Sequence, residues 1–284
     1  MNISTPDDSD APVGGLKGRF RLDTRMKAFA PGSVTAVFAP AESGDGSKGA
    51  SMAIENGVVA DVRAAAQTEV FLDGDATDFE PVEGVLDGLG VAARVELDAS
   101  VPVGCGFGAS GAATLATALA ANESFELGLS RDELVQASHV AEVEAGTGLG
   151  DVFIQSAGGL LMDDGSGRRR WEPTDAVEYV SFGGVATSDA LGDDELMARV
   201  ETVGGRVLDL LPEEPSLERL TRDSWTFARE IGLPTDRIRE TVAEVESAGG
   251  AASMAMLGET VFAVGVEDVL PHRTSISFDG STVL

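Results

Sequence analysis

Between Pro102 and Ala113 the chain reads Pro-Val-Gly-Cys-Gly-Phe-Gly-Ala-Ser-Gly-Ala-Ala, with glycines at 104, 106, 108 and 111. A strand-like apolar run, Val91 to Val101, precedes it, and small, helix-favouring residues from Ala112 to Ala121 follow. A glycine loop that opens a helix presents unpaired backbone N–H groups beside the positive end of the helix dipole. That is an anion site, and the usual anion is a phosphate. Phosphoryl transfer also needs a metal on the phosphate oxygens and a carboxylate beside the attacking hydroxyl. A second glycine-rich segment carries acids: Ala141-Glu142-Val-Glu144-Ala-Gly146-Thr-Gly148-Leu-Gly150-Asp151-Val152.

Spacing separates the phosphate loops that the first segment could be. A P-loop requires Gly-Lys, and the chain has no Gly-Lys pair. Gly106 to Gly111 satisfies G-x-G-x-x-G, but a dinucleotide fold requires a second strand after the helix. Here Asn122 to Leu129 is a polar connection, and Ser130-Arg-Asp-Glu133 is a capping box that opens another helix to about Ala145. Helix follows helix, so the Rossmann reading fails. Pro102 to Ala112 instead resembles, almost position for position, the Pro-x-Gly-x-Gly-Leu-Gly-Ser-Ser-Ala-Ala loop of the GHMP kinases, with Phe107 in the Leu place and Ala109 in that of the first Ser. The 141–152 segment is similar to the part of those kinases that carries the magnesium-binding Glu and the catalytic Asp. Taken alone, Glu142 is one acid among 48, and Asp151 is a helix N-cap ahead of Val152-Phe-Ile-Gln.

The resemblance implies an ATP- and Mg2+-dependent small-molecule kinase of α+β class, two-lobed, with its active site in the cleft between lobes. It implies that Pro102, Gly104, Gly106, Phe107, Gly108, Ala109, Ser110 and Gly111 cradle the ATP phosphates. Ser110 and Glu142 would hold magnesium, and Asp151 would face the substrate hydroxyl as base or orienter. Ala30-Pro-Gly-Ser-Val-Thr35, Gly46-Ser-Lys-Gly-Ala50 and Ser253-Met-Ala-Met-Leu-Gly258 narrow the resemblance to the archaeal branch that phosphorylates the 4-hydroxyl of pantoate. Ser33, Thr35, Lys48 and Arg168 are the candidate substrate contacts. A GHMP kinase for homoserine, shikimate or mevalonate, and a non-catalytic ligand-binding protein on the same fold, stay open as alternatives. Two departures stand out. Several relatives carry Lys after the first Pro-Gly, near the catalytic Asp, where this chain has Ser33; without that cation the Asp is held less strongly as a carboxylate. The third glycine cluster of the family is reduced to Ala248-Gly-Gly-Ala-Ala252.

At 284 residues and 43% hydrophobic, the chain can bury a core in two lobes. The formal net charge is −28, from 48 acids against 20 bases, and only Lys17, Lys27 and Lys48 are lysines. Such acidity with so little lysine suits a very salty cytoplasm, where salt screens the repulsion. It also argues against a nucleic-acid partner. Arg168-Arg-Arg-Trp171 is the one basic cluster; it follows a turn at Asp163-Asp-Gly-Ser-Gly and is either a solvated edge or a contact for a substrate carboxylate. Cys105 stands alone, which excludes an internal disulfide. His139 reads as structural. The sequence shows no signal peptide and no membrane span, which places the protein in the cytoplasm. Oligomeric state is not legible, and a homodimer is compatible with this reading.

Residues 1–25 read as an acidic, disordered leader that is dispensable, with a natural start at Met26; the competing idea is an edge strand at 18–22. Residues 26–172 form the ATP-binding lobe and 173–284 the C-terminal lobe. Strands are expected near 33–39, 51–62, 68–72 and 91–97, with a hairpin signal at Asn56-Gly57. Helices are expected at 111–121 and 130–145. Further strands are read at 158–162 and 177–187, helices at 193–210, 216–230 and 235–248, and strands again at 259–266 and 274–283.

Overall fold

The structure, a computed structural model, describes residues 25–40, 47–165, 167–184, 190 and 192–284. The expected leader up to residue 24, and the alternative strand at 18–22, lie outside them. Two long strands, β1 (Met26–Pro40) and β2 (Ser47–Ala64), pair antiparallel along almost their whole length. A short hairpin of β3 (Glu69–Leu72) and β4 (Asp75–Ala76) and then α1 (Glu80–Gly88) lead to β5 (Ala93–Ala99), which lies between β2 and β3. Three helices follow in succession: α2 (Ala109–Ser124), α3 (Arg131–Glu144) and α4 (Asp151–Ala157). Next, β6 (Leu160–Asp163) pairs antiparallel with β2 and with β7 (Arg168–Trp171).

The C-terminal part comprises β8 (Val177–Gly184), α5 (Asp194–Leu210), α6 (Leu217–Ile231), α7 (Asp236–Ser247), β9 (Ala251–Met254), β10 (Gly258–Val264), β11 (His272–Thr274) and β12 (Thr282–Val283). A second sheet runs β11-β8-β10-β9, while β12 returns to pair with β1. Arg25, the first described residue, donates from Nε to Asp61 at 2.6 Å.

Local chemistry explains these elements. Ser130 and Glu133 form the reciprocal capping box of α3. Asp193, Ser216 and Thr235 cap α5, α6 and α7 by accepting from backbone N–H groups of the first turn. α2 is made almost wholly of small residues, so it packs close to the sheet on one side and under α1 and α3 on the other, buried all round.

Two apolar clusters meet along β1. Its first half (Ala28, Ala30) packs with β2, β5 and α1–α3; its second half (Val34 to Ala39) packs with α5, α6 and the second sheet. Between them lies Pro31-Gly32-Ser33, at a register break against β2. That break overturns the hairpin expected at Asn56-Gly57. β2 runs straight through: Gly57 pairs with Pro31, and a Cβ there would sit 2.1 Å from the Ala30 carbonyl oxygen. The glycine serves strand approach at a bulge, not a turn. The strand expected over 274–283 is likewise broken. A Cβ on Gly280 would meet the Ser156 carbonyl oxygen at 2.2 Å, because this segment passes against the end of α4. Among the described residues no helix is long and apolar enough to cross a membrane.

Candidate active site

The glycine loop after β5 ends at Gly108, which caps α2 in the left-handed conformation (φ 58°) with no side-chain cap. The first N–H groups of α2 therefore stay open to a cleft lined by Thr35, Asp151, Met256 and Leu257 among others. The loop is tied down on the side away from the cleft. Ser33 N donates to the Phe107 carbonyl oxygen at 2.8 Å, and the Phe107 ring is buried edge-on to Tyr179 at 4.9 Å. Gly106 lies against the 255–258 arm: its Cβ would stand 2.9 Å from the Ala255 oxygen. That arm contributes Met256 and Leu257 to the cleft wall, whereas no residue of the reduced glycine cluster at 248–252 lines it.

Glu142 lies near the end of α3 and is 3% exposed. Ser110 Oγ and Thr114 Oγ1 each donate to its Oε1 at 2.8 Å, and Thr147 Oγ1 donates to Oε2 at 3.0 Å. Burial pushes its carboxyl up to about 7; the three hydroxyls favour the anion but do not offset it, and the charge of Asp151 adds to the rise. Asp151 is the first residue of α4, with Gly150 as cap, so the N-cap reading of Asp151 is off by one residue. Its Oδ1 accepts from Ser33 Oγ at 2.8 Å and Thr35 Oγ1 at 3.4 Å. Burial raises this carboxyl as well, and the two hydroxyls oppose the rise.

The helix that carries Asp151 is only seven residues long and is pinned at its far end. Arg170 Nε donates to the Ala157 and Gly158 carbonyl oxygens at 3.0 and 2.8 Å, and Arg131 donates to the Ser156 oxygen at 2.9 Å. Cations at a helix C-terminus complement its dipole. Part of the Arg168–Trp171 cluster is thus structural, which the sequence reading did not find.

Of the residues singled out from sequence, Thr35, Gly104, Gly106, Gly108, Ala109, Ser110, Asp151 and Arg168 line one cleft. Ser33 and Glu142 sit directly behind it, on Asp151 and Ser110. Pro102, Phe107, Gly111 and Lys48 are not among the lining residues. Pro102 is exposed, Phe107 faces the core, and Lys48 stands on β2 opposite Ala39. Arg168 pairs with Asp163 at 3.1 Å and lies over the Phe153 ring. His139 packs its ring against Phe153 in the interior. Thr114, Thr147 and Ser51 (3.1 Å from Thr35 Oγ1) join the site without a signal in the sequence.

Gly108→Ala tests the loop. A Cβ there would fall 2.1 Å from Ser33 Oγ at a positive φ, and strain of about 1–3 kcal/mol is expected. The variant should melt several degrees lower and gain less from added ATP in a thermal melt; an unchanged melt with and without ATP would contradict this packing.

The arrangement, an open helix N-terminus beside a carboxylate–hydroxyl pair with a second, buried carboxylate behind Ser110, is that of a phosphotransferase acting on an alcohol. Residues 79–159 match the family model of the GHMP kinases N terminal domain. The chain belongs to the GHMP kinases, and it is a small-molecule kinase. It is 30% identical to the pantoate kinase of Methanospirillum hungatei, over 85% of this chain and 88% of that one. It is 28% identical to the pantoate kinase of Methanocaldococcus jannaschii, over 87% and 96%. A solved structure described as a phosphotransferase related to the CoA biosynthesis pathway superposes with a TM-score of 0.79 at 26% identity, covering 92% of this chain and 99% of that chain.

Proposed function

We propose that this protein transfers the γ-phosphate of ATP to the 4-hydroxyl of pantoate, a step toward coenzyme A. The observation that carries the reading is the likeness to two pantoate kinases along nearly the whole chain, with Ser110, Glu142 and Asp151 gathered at one cleft. The backbone N–H groups of Gly108 to Ser110 and the α2 dipole bind phosphate oxygens. Magnesium fits the residues present. A buried carboxylate on Glu142, next to the Ser110 hydroxyl at the phosphate end of the cleft, supplies two oxygen donors, and Mg2+ commonly takes one or two protein oxygens with the rest from phosphate and water. When bound, the metal neutralises charge on the phosphate oxygens. Asp151 keeps Oδ2 free of the two hydroxyls on Oδ1; it orients the acceptor hydroxyl and accepts its proton. Phe38, Leu161, Met256 and Leu257 give the cleft an apolar wall suited to a branched aliphatic acceptor, and Arg168 places a cation at it for a carboxylate. Residues 26–172 supply every group of this reading except the 255–257 arm.

The assay is ADP release by purified protein with ATP, magnesium and pantoate, homoserine, shikimate or mevalonate in turn. Pantoate is expected to exceed the others by about 100-fold or more in kcat/KM. A faster rate with another acceptor would replace the substrate, and no ADP with any of them would favour a binding protein on this fold.

The net charge of −28 supports a protein adapted to a salty cytoplasm. Repulsion among these charges weakens as the Debye length falls to ~3 Å near 1 M salt. The melting temperature is expected to rise by several degrees or more from low to molar potassium chloride; equal midpoints would remove the halophilic reading.

A further inference from the structure

Gln155 is wholly buried on α4, one turn beyond Asp151 and on the same face. Its amide nitrogen lies 2.6 Å from the Gly108 carbonyl oxygen and 3.3 Å from Ser33 Oγ. A carbonyl oxygen only accepts, so the NH2 group must face Gly108, and this fixes the amide orientation. One N–H then goes to Gly108 and the other to Ser33 Oγ. With its oxygen occupied as an acceptor, Ser33 points its own hydrogen at Asp151 Oδ1, 2.8 Å away.

The other end of the amide makes no such bargain. Gln155 Oε1 is buried without a hydrogen-bond partner among the described residues. An orphaned buried oxygen destabilises, and a residue serving only to fill this space would do better as methionine or leucine. The amide is therefore kept for its two donors. One reaches the residue that caps the phosphate-binding helix, the other the hydroxyl that holds the acceptor-facing carboxylate.

We infer that Gln155 is a positioning residue: it sets the Ser33 hydroxyl as a donor to Asp151 and ties the Asp151 helix to the phosphate loop at one spacing. The inference rests on the kinase reading above. Phosphoryl donor and acceptor are bound by different elements, α2 with its loop on one side and α4 with β1 on the other. In-line transfer depends on their separation, and a small misplacement costs rate without costing binding.

The test is Gln155→Met, which keeps the volume and removes both donors. Removal of the orphaned oxygen offsets the lost bonds, so the variant is expected to melt within a few degrees of the parent. It should bind a non-hydrolysable ATP analogue within about threefold, while kcat falls about 30-fold. Ser33→Ala should lower kcat similarly, and the double variant should be no slower than the slower single, because both act through one hydrogen bond. A Gln155→Met kcat within about threefold of the parent overturns the inference, and so do losses that multiply in the double variant. Loss of analogue binding in step with a lower melting point also overturns it, since that is the mark of packing alone. Should Gln155→Met not fold, Gln155→Leu carries the test: it also fills the space without either donor, and the same drop in kcat is expected. A parent that releases no ADP with any acceptor sinks the kinase reading; an active parent matched by its Gln155 variants sinks this inference alone.

Discussion

Asp151→Asn is expected to bind ATP like the parent and to transfer phosphate at least about 10²-fold more slowly. The substitution keeps shape and hydrogen-bonding reach and removes one charge. In the parent, Ser33 and Thr35 both donate to Oδ1, so the second carboxylate oxygen is the one available to an acceptor hydroxyl. An amide in its place can accept a hydrogen bond but cannot take a proton. The pH profile gives an independent reading. Burial raises the Asp151 carboxyl above its ordinary value of 3.8, and the neutral hydroxyls of Ser33 and Thr35 only partly stabilise the anion. The carboxylate is the working form, so kcat/KM should rise with pH along an acid limb lying above that value, and the limb should vanish in the asparagine variant. Full activity in the variant, measured as pantoate-dependent ADP release, would end the assignment of Asp151.

The parts of this molecule that were legible in its sequence are those where local chemistry and tertiary demand agree. The capping box at Ser130 gives the start of α3, apolar spacing gives α5, α6 and α7, whose first turns Asp193, Ser216 and Thr235 cap, and the glycine spacing of 104–111 gives the loop, because glycine takes left-handed conformations most readily, as at 104, 106 and 108. The failures have a common cause. Asn56-Gly57 carries a strong turn signal, yet Gly57 is needed for contact with the Ala30 backbone, a partner nearly thirty residues away. α1 has no side-chain cap and only nine residues, and its start signals are confined to Glu80, Pro81 and Glu83 in the first turn. The site shows the same division. Ser110, Glu142 and Asp151 stand at motif positions, whereas Thr114, Thr147 and Gln155 act only because folding buries a carboxylate or a carbonyl beside them, and Ser51 because strand pairing sets it against the Thr35 hydroxyl. No spacing rule marks a hydroxyl that finds its acceptor across two helices.

Glu142→Gln is expected to separate stability from catalysis. The folded protein holds the Glu142 carboxyl at about 7, against 4.5 for an ordinary glutamate, so burial disfavours the charge. Between those values the folded state keeps a proton that the unfolded chain has released. The contribution of this group is therefore whole below 4.5 and is lost as pH rises through about 7. The integrated cost at pH 8 is on the order of 3 kcal/mol. Glutamine fills the same space without the charge, and its amide can bond to the Ser110, Thr114 and Thr147 hydroxyls after they rotate. In magnesium-free buffer at pH 8 the variant should melt above the parent, and the gap should nearly close by about pH 5. Turnover should move the other way, down about 10²-fold, with more magnesium needed for half-maximal rate, because a neutral amide is a poor ligand for a hard cation. Ser110→Ala should raise the magnesium requirement too, but without the stability gain. The buried charge is then a cost that the fold bears for the metal. Variants at both positions that keep the parent's magnesium dependence would show that the metal lies elsewhere, and a Glu142→Gln protein no more stable than the parent at pH 8 would show that the carboxyl is not strained by burial.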